Sequence, residues 1–234
     1  IALPELRCEE VYVTDAHQGE SFRMFRVSAG DLFIGDRGFA NPANVRHVVD
    51  GRGAVLVRIN LTNLPLLDAR DKPFPLLKRL RSLRGTRLGD WPVSVRDGAR
   101  RIPGRVCALK KSRLAAERAR AKALRDNQRK GHRVRPETLE AAGYTFVFTT
   151  LEESLPPSAV LELYRGRWQV ELAFKRLKSL IGIGHLRKTD PDSAKAWIHG
   201  KLFVAFLIEA LIAAAERFSP WGYPLSQDDP LPVA

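Results

Sequence analysis

Four polar residues recur at steps of three, four and seven within the segment 164–178, namely Tyr164, Arg167, Glu171 and Lys178. On one continuous helix these steps place all four side chains on the same face. A face that carries a phenol, two cations and a carboxylate could hold both a metal ion and a phosphate backbone. The spacing therefore predicts a site for chemistry on DNA.

A second candidate carboxylate is Asp36, which directly follows the apolar run 31–35. We expect this run to form a buried strand, so that Asp36 lies at its carboxyl end, where open α/β sheets bind ligands. Gly35 and Gly38 would leave room for the close approach of a ligand or an ion. Taken alone, the segment Asp36-Arg37-Gly38 is also typical of an ordinary turn.

Glu171 is expected in the middle of a long helix, between Trp168 and Phe174, which we predict to pack toward the sheet. A glutamate at the border of an apolar face is costly to desolvate unless it is paired or bound to a metal. Ordinary helix pairs with Arg167 or Lys175 would also explain it. Those pairs do not explain why Tyr164, Arg167 and Lys178 would lie on the same helix face as Glu171.

The composition is strongly basic, with 39 Lys and Arg against 26 Asp and Glu and a pI near 10.3. Such an excess favours polyanions, with a membrane surface as the competing interpretation. Residues 202–215 are apolar but contain Glu209 and are shorter than the roughly 20 residues that span a bilayer. We therefore expect a buried core helix there and no membrane partner. Cys8 and Cys107 lack metal-site spacing, which indicates a reducing compartment without structural zinc.

Strand and helix patterns alternate along the chain, which indicates an α/β fold. The predicted strands cover residues 11–14, 22–26, 31–35, 54–59, 91–96, 106–110 and 144–150. The first two of these are expected to pair as a hairpin. The predicted helices cover residues 42–49, 110–135, 156–181 and 192–218.

The helix predicted over 110–135 is unusually basic, with eleven Lys or Arg against Glu117 and Asp126. Its apolar stripe is thin, so it could be a solvated helix packed along one edge of the fold. Alternatively, the cations contact a DNA backbone, and binding would then depend strongly on salt.

The spacing Tyr-x2-Arg-x3-Glu-x6-Lys resembles the signature of bacterial insertion-sequence transposases of the DDE type, and more narrowly of the insertion-sequence-four family. Further segments agree with this resemblance, namely 13–17 (VTDAH), 19–21 (GES), 30–40 (GDLFIGDRGFA) and 171–178 (ELAFKRLK). The likeness extends from about residue 2 to about residue 216.

The resemblance implies an RNase H-like core, a mixed sheet flanked by helices and interrupted by a β-rich insertion that carries a basic helix. The first part of the core would occupy residues 1–59 and the insertion residues 60–142. The second part, with the helix that bears the catalytic glutamate, would occupy 143–218, followed by a tail at 219–234.

The resemblance also implies three carboxylates that hold two Mg²⁺ ions, with Mn²⁺ as a substitute. Asp36 would be the second carboxylate and Glu171 the third. The implied DNA-binding residues are Tyr164, Arg167, Trp168, Lys175 and Lys178. Among them, Arg167 and Lys178 would clamp phosphates, and Trp168 would either stack on a base or be a buried aromatic.

The implied activity is DNA transposition. Water would first nick a strand, and the freed 3′ hydroxyl would then attack target DNA. The expected partners are double-stranded transposon ends and target DNA, with a homodimer in the active complex. The expected location is the nucleoid in the bacterial cytoplasm.

The first catalytic aspartate of the family lies upstream of Ile1, and the only methionine is Met24, so we expect a fragment or an excised domain. Asp15 matches a later strand of the family pattern and is not assigned to the metal site. This chain alone is therefore expected to be catalytically inactive. The alternatives are a truncated transposase that binds DNA without cutting it and a basic nucleic-acid-binding protein unrelated to transposases.

Overall fold

The computed structural model describes residues 10–13, 19–129, 131, 133–180, 182 and 190–217. The chain divides into two compact units. The first, called here the sheet unit, comprises Thr14–Arg167. The second, called here the helical unit, comprises Ile1–Val13 and Trp168–Ala234.

The sheet unit contains a five-stranded mixed sheet, as the α/β prediction requires. Its strands are β1 (Leu32–Gly35), β2 (Ala54–Arg58), β3 (Gly89–Asp97), β4 (Arg100–Lys110) and β5 (Tyr144–Thr149). They are arranged in the order β1-β2-β5-β4-β3. Only β1 and β2 pair in parallel, and the other pairs are antiparallel. The β3–β4 hairpin, which lies within residues 60–142, therefore extends the same sheet as β1 and β2.

The helices of the sheet unit are α1 (Pro42–Asp50), α2 (Leu76–Arg81), α3 (Arg113–Arg129), α4 (Pro136–Ala141) and α5 (Pro157–Gly166). Those of the helical unit are α6 (Trp168–Leu180) and α7 (Pro191–Arg217). The helices predicted over 42–49 and 192–218 are thereby confirmed, with small changes at their ends. The basic helix predicted over 110–135 is confirmed only over Arg113–Arg129, because Lys110 ends β4 and residues 133–135 are not helical.

Helix α1 makes the crossover that a parallel strand pair requires. The Asn41 side chain accepts from the Asn44 N–H at 2.9 Å, and Pro42 occupies the first turn, so the local sequence sets the start of the helix. Val45 and Val48 are buried on its inner side. The crossover brings the carboxyl ends of β1 and β2 to one edge of the sheet.

The core has one layer on each face of the sheet. Val55 and Val57 of β2 belong to the buried cluster that also contains residues of α1, α2 and α4, whereas Leu56 clusters with Val160 and Tyr164 of α5. This alternation is the period of two expected of a strand buried on both faces. We call the side that carries Leu56 and α5 the α5 face.

The hairpin predicted over 11–14 and 22–26 is wrong. Phe22–Met24 forms a single 3₁₀ turn, and residues 11–13 form no strand. The Asn44 carboxamide oxygen accepts from the Phe22 N–H at 3.1 Å, and the Phe22 ring stacks on Phe39 at 4.6 Å between centroids. Side-chain bonding and aromatic packing thus replace strand pairing.

The long helix predicted over 156–181 is divided at Arg167. Helix α5 ends at Gly166 and α6 begins at Trp168. Glycine has low helix propensity, and the Arg167 N–H bonds to the Tyr164 carbonyl at 3.1 Å, which is the tighter three-residue pattern. Tyr164 and Glu171 therefore belong to two consecutive helices, with Arg167 between them in the right-handed helical region.

Helix α7 also differs from expectation. Its start is set by Asp190, whose carboxylate accepts from the Ser193 N–H at 2.8 Å. The helix expected to be buried in the core is buried only in part, because Leu202 and Ala205 are buried whereas Phe203 is 66% exposed and Leu211 is 60% exposed. In the described ranges, α7 included, no helix combines the length and apolar character needed to cross a bilayer.

Candidate functional site: a sheet edge rich in cations

Asp36 follows β1 at the carboxyl edge of the sheet, as the sequence predicts. The side chain is partly exposed, and its Oδ1 accepts from the Gly38 N–H at 2.8 Å. Because Ile34 packs on the α5 face, alternation along the strand directs Asp36 to the same face. The short turn thus orients a carboxylate where α5 and the strand ends meet.

The two glycines beside Asp36 have different roles. A Cβ at Gly35 would lie 2.7 Å from the Phe22 ring, so this glycine makes room for aromatic packing. A Cβ at Gly38 would collide with the Glu20 carboxylate. The expectation that Gly35 leaves space for a ligand is therefore wrong, whereas the space at Gly38 adjoins the carboxylates of Glu20 and Asp36.

Glu20 places a second carboxylate beside Asp36. Partial desolvation raises the pKa of the Glu20 carboxyl above its ordinary value, and the charge of Asp36 raises it further. Two neighbouring carboxylates disfavour the charged form of one another. The sequence placed Glu20 in a matching segment but gave no sign that it contacts Asp36.

Three cations, Arg37, Arg58 and Lys111, lie at the same edge; we call them the cationic cluster. Arg58 ends β2 on the α5 face, and Lys111 follows β4, whose end reaches this edge because β5 is antiparallel to both strands. Lys111 Nζ donates to the Ala142 carbonyl at 2.8 Å. In the part of the chain that the structure describes, none of the three forms an ion pair.

The electrostatics of the cationic cluster are unfavourable without an anion. Burial, followed by the charges of Arg58 and Arg37, lowers the pKa of Lys111 to about 8. Burial also lowers the Arg37 pKa, and Arg58 is its second cause. Each shift disfavours the charged form, and a bound anion would offset that cost.

Tyr164 and Arg167 complete the edge from α5. Tyr164 is buried, and the Arg167 guanidinium carbon lies 5.7 Å from the centroid of its ring. Burial raises the pKa of Tyr164. The charges of Arg167 and Arg58 oppose this shift, and the charge of Asp36 adds to it. The phenol is therefore close to Asp36 and to the cationic cluster. Its hydroxyl makes no well-formed hydrogen bond among the described residues.

The remaining predicted site residues lie on α6 in the helical unit. Glu171 is in the first turn of α6 and is exposed, so the expected position in mid-helix is wrong. The side chain of Phe174, which was expected to pack beside it, lies outside the described residues. Trp168 is 53% exposed, which corrects the alternative of a buried aromatic. Lys175 and Lys178 are also exposed. The sheet unit thus brings together Asp36, Tyr164 and Arg167, and α6 carries the other four.

A family model described as "Transposase DDE domain" matches residues 12–207, which is most of the chain. The chain belongs to the DDE transposase family. The resemblance carried by the Tyr-Arg-Glu-Lys spacing is thereby confirmed at the level of the family.

Known insertion-sequence proteins are similar to this DDE transposase chain. It is 35% identical over 215 residues to the putative transposase InsL for insertion sequence element IS186A of Escherichia coli (strain K12), covering 89% of this chain and 58% of that protein. The transposase for IS421 of Escherichia coli gives the same identity and coverage. A match to the transposase for IS231F of Bacillus thuringiensis subsp. israelensis is 33% identical over 90 residues and covers 38% and 19% of the two chains. The chain spans 58% of the length of the Escherichia coli relatives.

A DDE transposase is expected to use a divalent metal, and the chemistry of Asp36 fits one. Its hard carboxylate oxygens are of the kind that Mg²⁺ prefers, and the side chain is accessible at the sheet edge. Among the described residues, no three His, Cys, Asp or Glu side chains lie close enough together to hold a metal ion.

Sequence reasoning missed Arg58 and Lys111 in this DDE transposase. Each is a cation at the end of an alternating apolar strand, and such a position is a weak signal by itself. Their proximity follows from strand order, because β5 comes late in the chain yet lies between β2 and β4. The sequence alone does not contain that order.

Proposed function

We propose that this chain forms part of the catalytic domain of a DNA transposase of the insertion-sequence-four type, with an RNase H-like core. Asp36 and Glu171 serve as the second and third catalytic carboxylates. The domain cleaves a strand at the transposon end and joins the new 3′ hydroxyl to target DNA. The division into 1–59, 60–142, 143–218 and 219–234 belongs to the same proposal.

The observation that carries this proposal is the sheet edge, where the Asp36 carboxylate, with Glu20 beside it, adjoins cations that form no ion pair among the described residues. Asp36 and Glu171 would hold the metal. When bound, paired Mg²⁺ ions stabilise the attacking and leaving oxygens of phosphoryl transfer. Arg37, Arg58 and Lys111 supply positive charge for the phosphate that Asp36 faces.

The Tyr-Arg-Glu-Lys residues position DNA in this proposal. Tyr164 and Arg167 contact phosphate from α5, and Lys175 and Lys178 contact it from α6. The exposed Trp168 is available to stack on a base. The active complex is a homodimer on double-stranded transposon ends and target DNA, in the bacterial nucleoid.

Cleavage of a labelled duplex that carries the terminal sequence of the element tests this function. The full-length transposase should cleave it with Mg²⁺ or Mn²⁺ and not with a chelator. Cleavage that survives removal of either carboxylate would contradict the proposal. Binding without cleavage by the full-length protein would favour the binding-only alternative.

Replacing Tyr164 with Phe should separate DNA binding from stability. The hydroxyl is buried without a well-formed hydrogen bond, so its loss should leave the free energy of unfolding unchanged or raise it by about 1 kcal/mol. The hydroxyl adjoins the Arg167 guanidinium, which contacts phosphate in this proposal, so loss of that polar neighbour should weaken transposon-end binding by roughly fivefold to tenfold. Urea unfolding and fluorescence anisotropy measure the two effects. Tyr144→Phe, on the opposite face of the sheet, is the control, and an equal loss of affinity in both variants would remove the role of Tyr164.

Lys111 should make DNA binding depend on pH. Its pKa is about 8 in the free protein, and a bound phosphate favours the charged amine, so binding should take up protons near pH 8 to 9 and weaken as pH rises further. Without DNA, the unfolded chain keeps the Lys111 proton to higher pH than the folded protein does. The free energy of unfolding should therefore rise with pH above about 8.

Isothermal titration calorimetry in buffers of different ionisation enthalpy measures this proton uptake. Lys111→Gln should abolish it. Lys110→Gln should not, because Lys110 is exposed and alternates to the other face of β4. Equal proton uptake by wild type and Lys111→Gln would show that phosphate does not reach Lys111.

A further inference from the structure

Helix α3 carries a regular row of cations that the site above does not use. Arg118, Lys122, Arg125 and Arg129 follow one another at steps of four, three and four. These steps place them on one face of a helix. All four are exposed. We call this row the α3 stripe.

The opposite side of α3 attaches the helix to the sheet unit. Ala116 is buried, and helix α4 is the neighbour of α3. Arg120 Nε donates to the Leu139 carbonyl at 3.2 Å, beside the row of small alanines. Because this inner side is about half a turn away from the α3 stripe, the stripe faces solvent.

The charges of the α3 stripe repel one another. Glu117, one acid of the helix, pairs with Arg113 at 3.1 Å, away from the stripe. Asp126 borders the stripe, but within the described ranges no ion pair joins it to any of the four cations. Like charges three and four residues apart destabilise a helix. A polyanion laid along the stripe would remove this repulsion.

The dimensions of the α3 stripe fit a nucleic acid backbone. Eleven residues separate its ends, which is roughly 16 Å of helix. One DNA strand presents a phosphate about every 3.4 Å along the axis, so the stripe can lie beside about five phosphates. A membrane-surface helix would need a broad apolar face beside its cations. Here the inner face consists mainly of alanine and is turned toward the protein.

We propose that the α3 stripe is a docking surface for the phosphate backbone of double-stranded DNA, and that it binds DNA independently of sequence. The choice of DNA as the partner rests on the proposed function, but the α3 stripe is separate from the sheet edge that carries Asp36. The α3 stripe increases the affinity for DNA, and other contacts determine which DNA sequence is bound.

A fourfold variant of the full-length protein tests the surface: Arg118→Gln, Lys122→Gln, Arg125→Gln and Arg129→Gln. Glutamine keeps high helix propensity, so circular dichroism and the melting temperature should not fall. The matched control removes one lysine and three arginines from the exposed region around α2: Lys78→Gln, Arg79→Gln, Arg84→Gln and Arg87→Gln. Both variants lose the same net charge.

The readout is equilibrium binding of a random-sequence duplex without Mg²⁺, measured across a salt series. The slope of log affinity against log salt should become shallower by about three to four in the stripe variant. It should change by less than about one in the control. Equal changes in the two variants, or no change in the stripe variant, would overturn the proposal.

Two further arms separate the remaining outcomes. Vesicles with anionic lipid should bind the stripe variant and the charge-matched control equally, and selective loss of vesicle binding by the stripe variant with unchanged DNA binding would overturn DNA as the occupant. Cleavage by Asp36→Asn would contradict the proposed function and leave the test of the stripe unaffected.

Discussion

Asp36→Asn and Glu171→Gln are each expected to lower the rate of Mg²⁺-dependent cleavage by the full-length transposase by at least about 10³-fold. Metal-ion catalysis supplies several kcal/mol of stabilisation to the transition state, and each 1.36 kcal/mol is a factor of ten in rate. Both substitutions keep the shape of the side chain and remove its charge. Single-turnover cleavage of a labelled end duplex measures the effect.

DNA affinity should stay within about twofold of wild type in both variants, since phosphates are bound by the cations. The amide oxygen that Asp36→Asn introduces can still accept from the Gly38 N–H, so the turn should be kept. Glu162→Gln, an exposed glutamate on α5 that pairs with Arg165 at 3.3 Å, is the control for Glu171. Cleavage within tenfold of wild type in either carboxylate variant would remove that residue from the catalytic site.

The double variant asks whether the two carboxylates act together. Residues that act as a unit are strongly non-additive in their effects on rate. If Asp36 and Glu171 share metal ions, the double variant should be no more than about threefold slower than the slower single variant. Losses that multiply to about 10⁶-fold would show two independent contributions and would contradict a shared site.

The sequence predicted the elements that depend on local signals. Strand β1 ends at Gly35, before the Asp36 turn, and α1 begins at Pro42 after its Asn41 cap. Apolar alternation and capping residues are sufficient for such segments. The same local signals failed at Phe22, because the Asn44 side chain and the Phe39 ring, both distant in sequence, determine its conformation.

The candidate site was predicted less completely than the fold. The Asp36 position follows from one strand and one turn, so the sequence could indicate it. The Arg58 and Lys111 positions depend on β5 lying between their strands, which is long-range information. The division of the 156–181 helix was missed because a single glycine, Gly166, gave only a weak helix-breaking signal.

Arg105→Leu is expected to lower the free energy of unfolding by about 3 to 5 kcal/mol. The Arg105 side chain is only 3% exposed, and its Nη1 lies 2.7 Å from the Asp90 carboxylate. Its Nη2 donates to the carbonyls of Glu152 and Leu155 at 2.8 and 2.5 Å. Leucine fills part of the volume but leaves a carboxylate and two carbonyls without their donor.

Arg100→Leu on the same strand is the matched control. Arg100 is 50% exposed and pairs with Asp50 at 2.7 Å, so its loss should cost less than about 1 kcal/mol. Urea unfolding at neutral pH measures both variants. A loss below about 1 kcal/mol for Arg105→Leu would show that the buried ion pair contributes little net stability.

The position of Arg105 links this stability to function. The carbonyls that it binds belong to the turn directly before α5, which carries Tyr164 to the sheet edge. Arg105→Leu should therefore weaken transposon-end binding under conditions in which the protein is still folded, whereas Arg100→Leu should not. If the folded Arg105 variant binds DNA ends as wild type does, then packing of Val160 and Leu161 alone is sufficient to position α5.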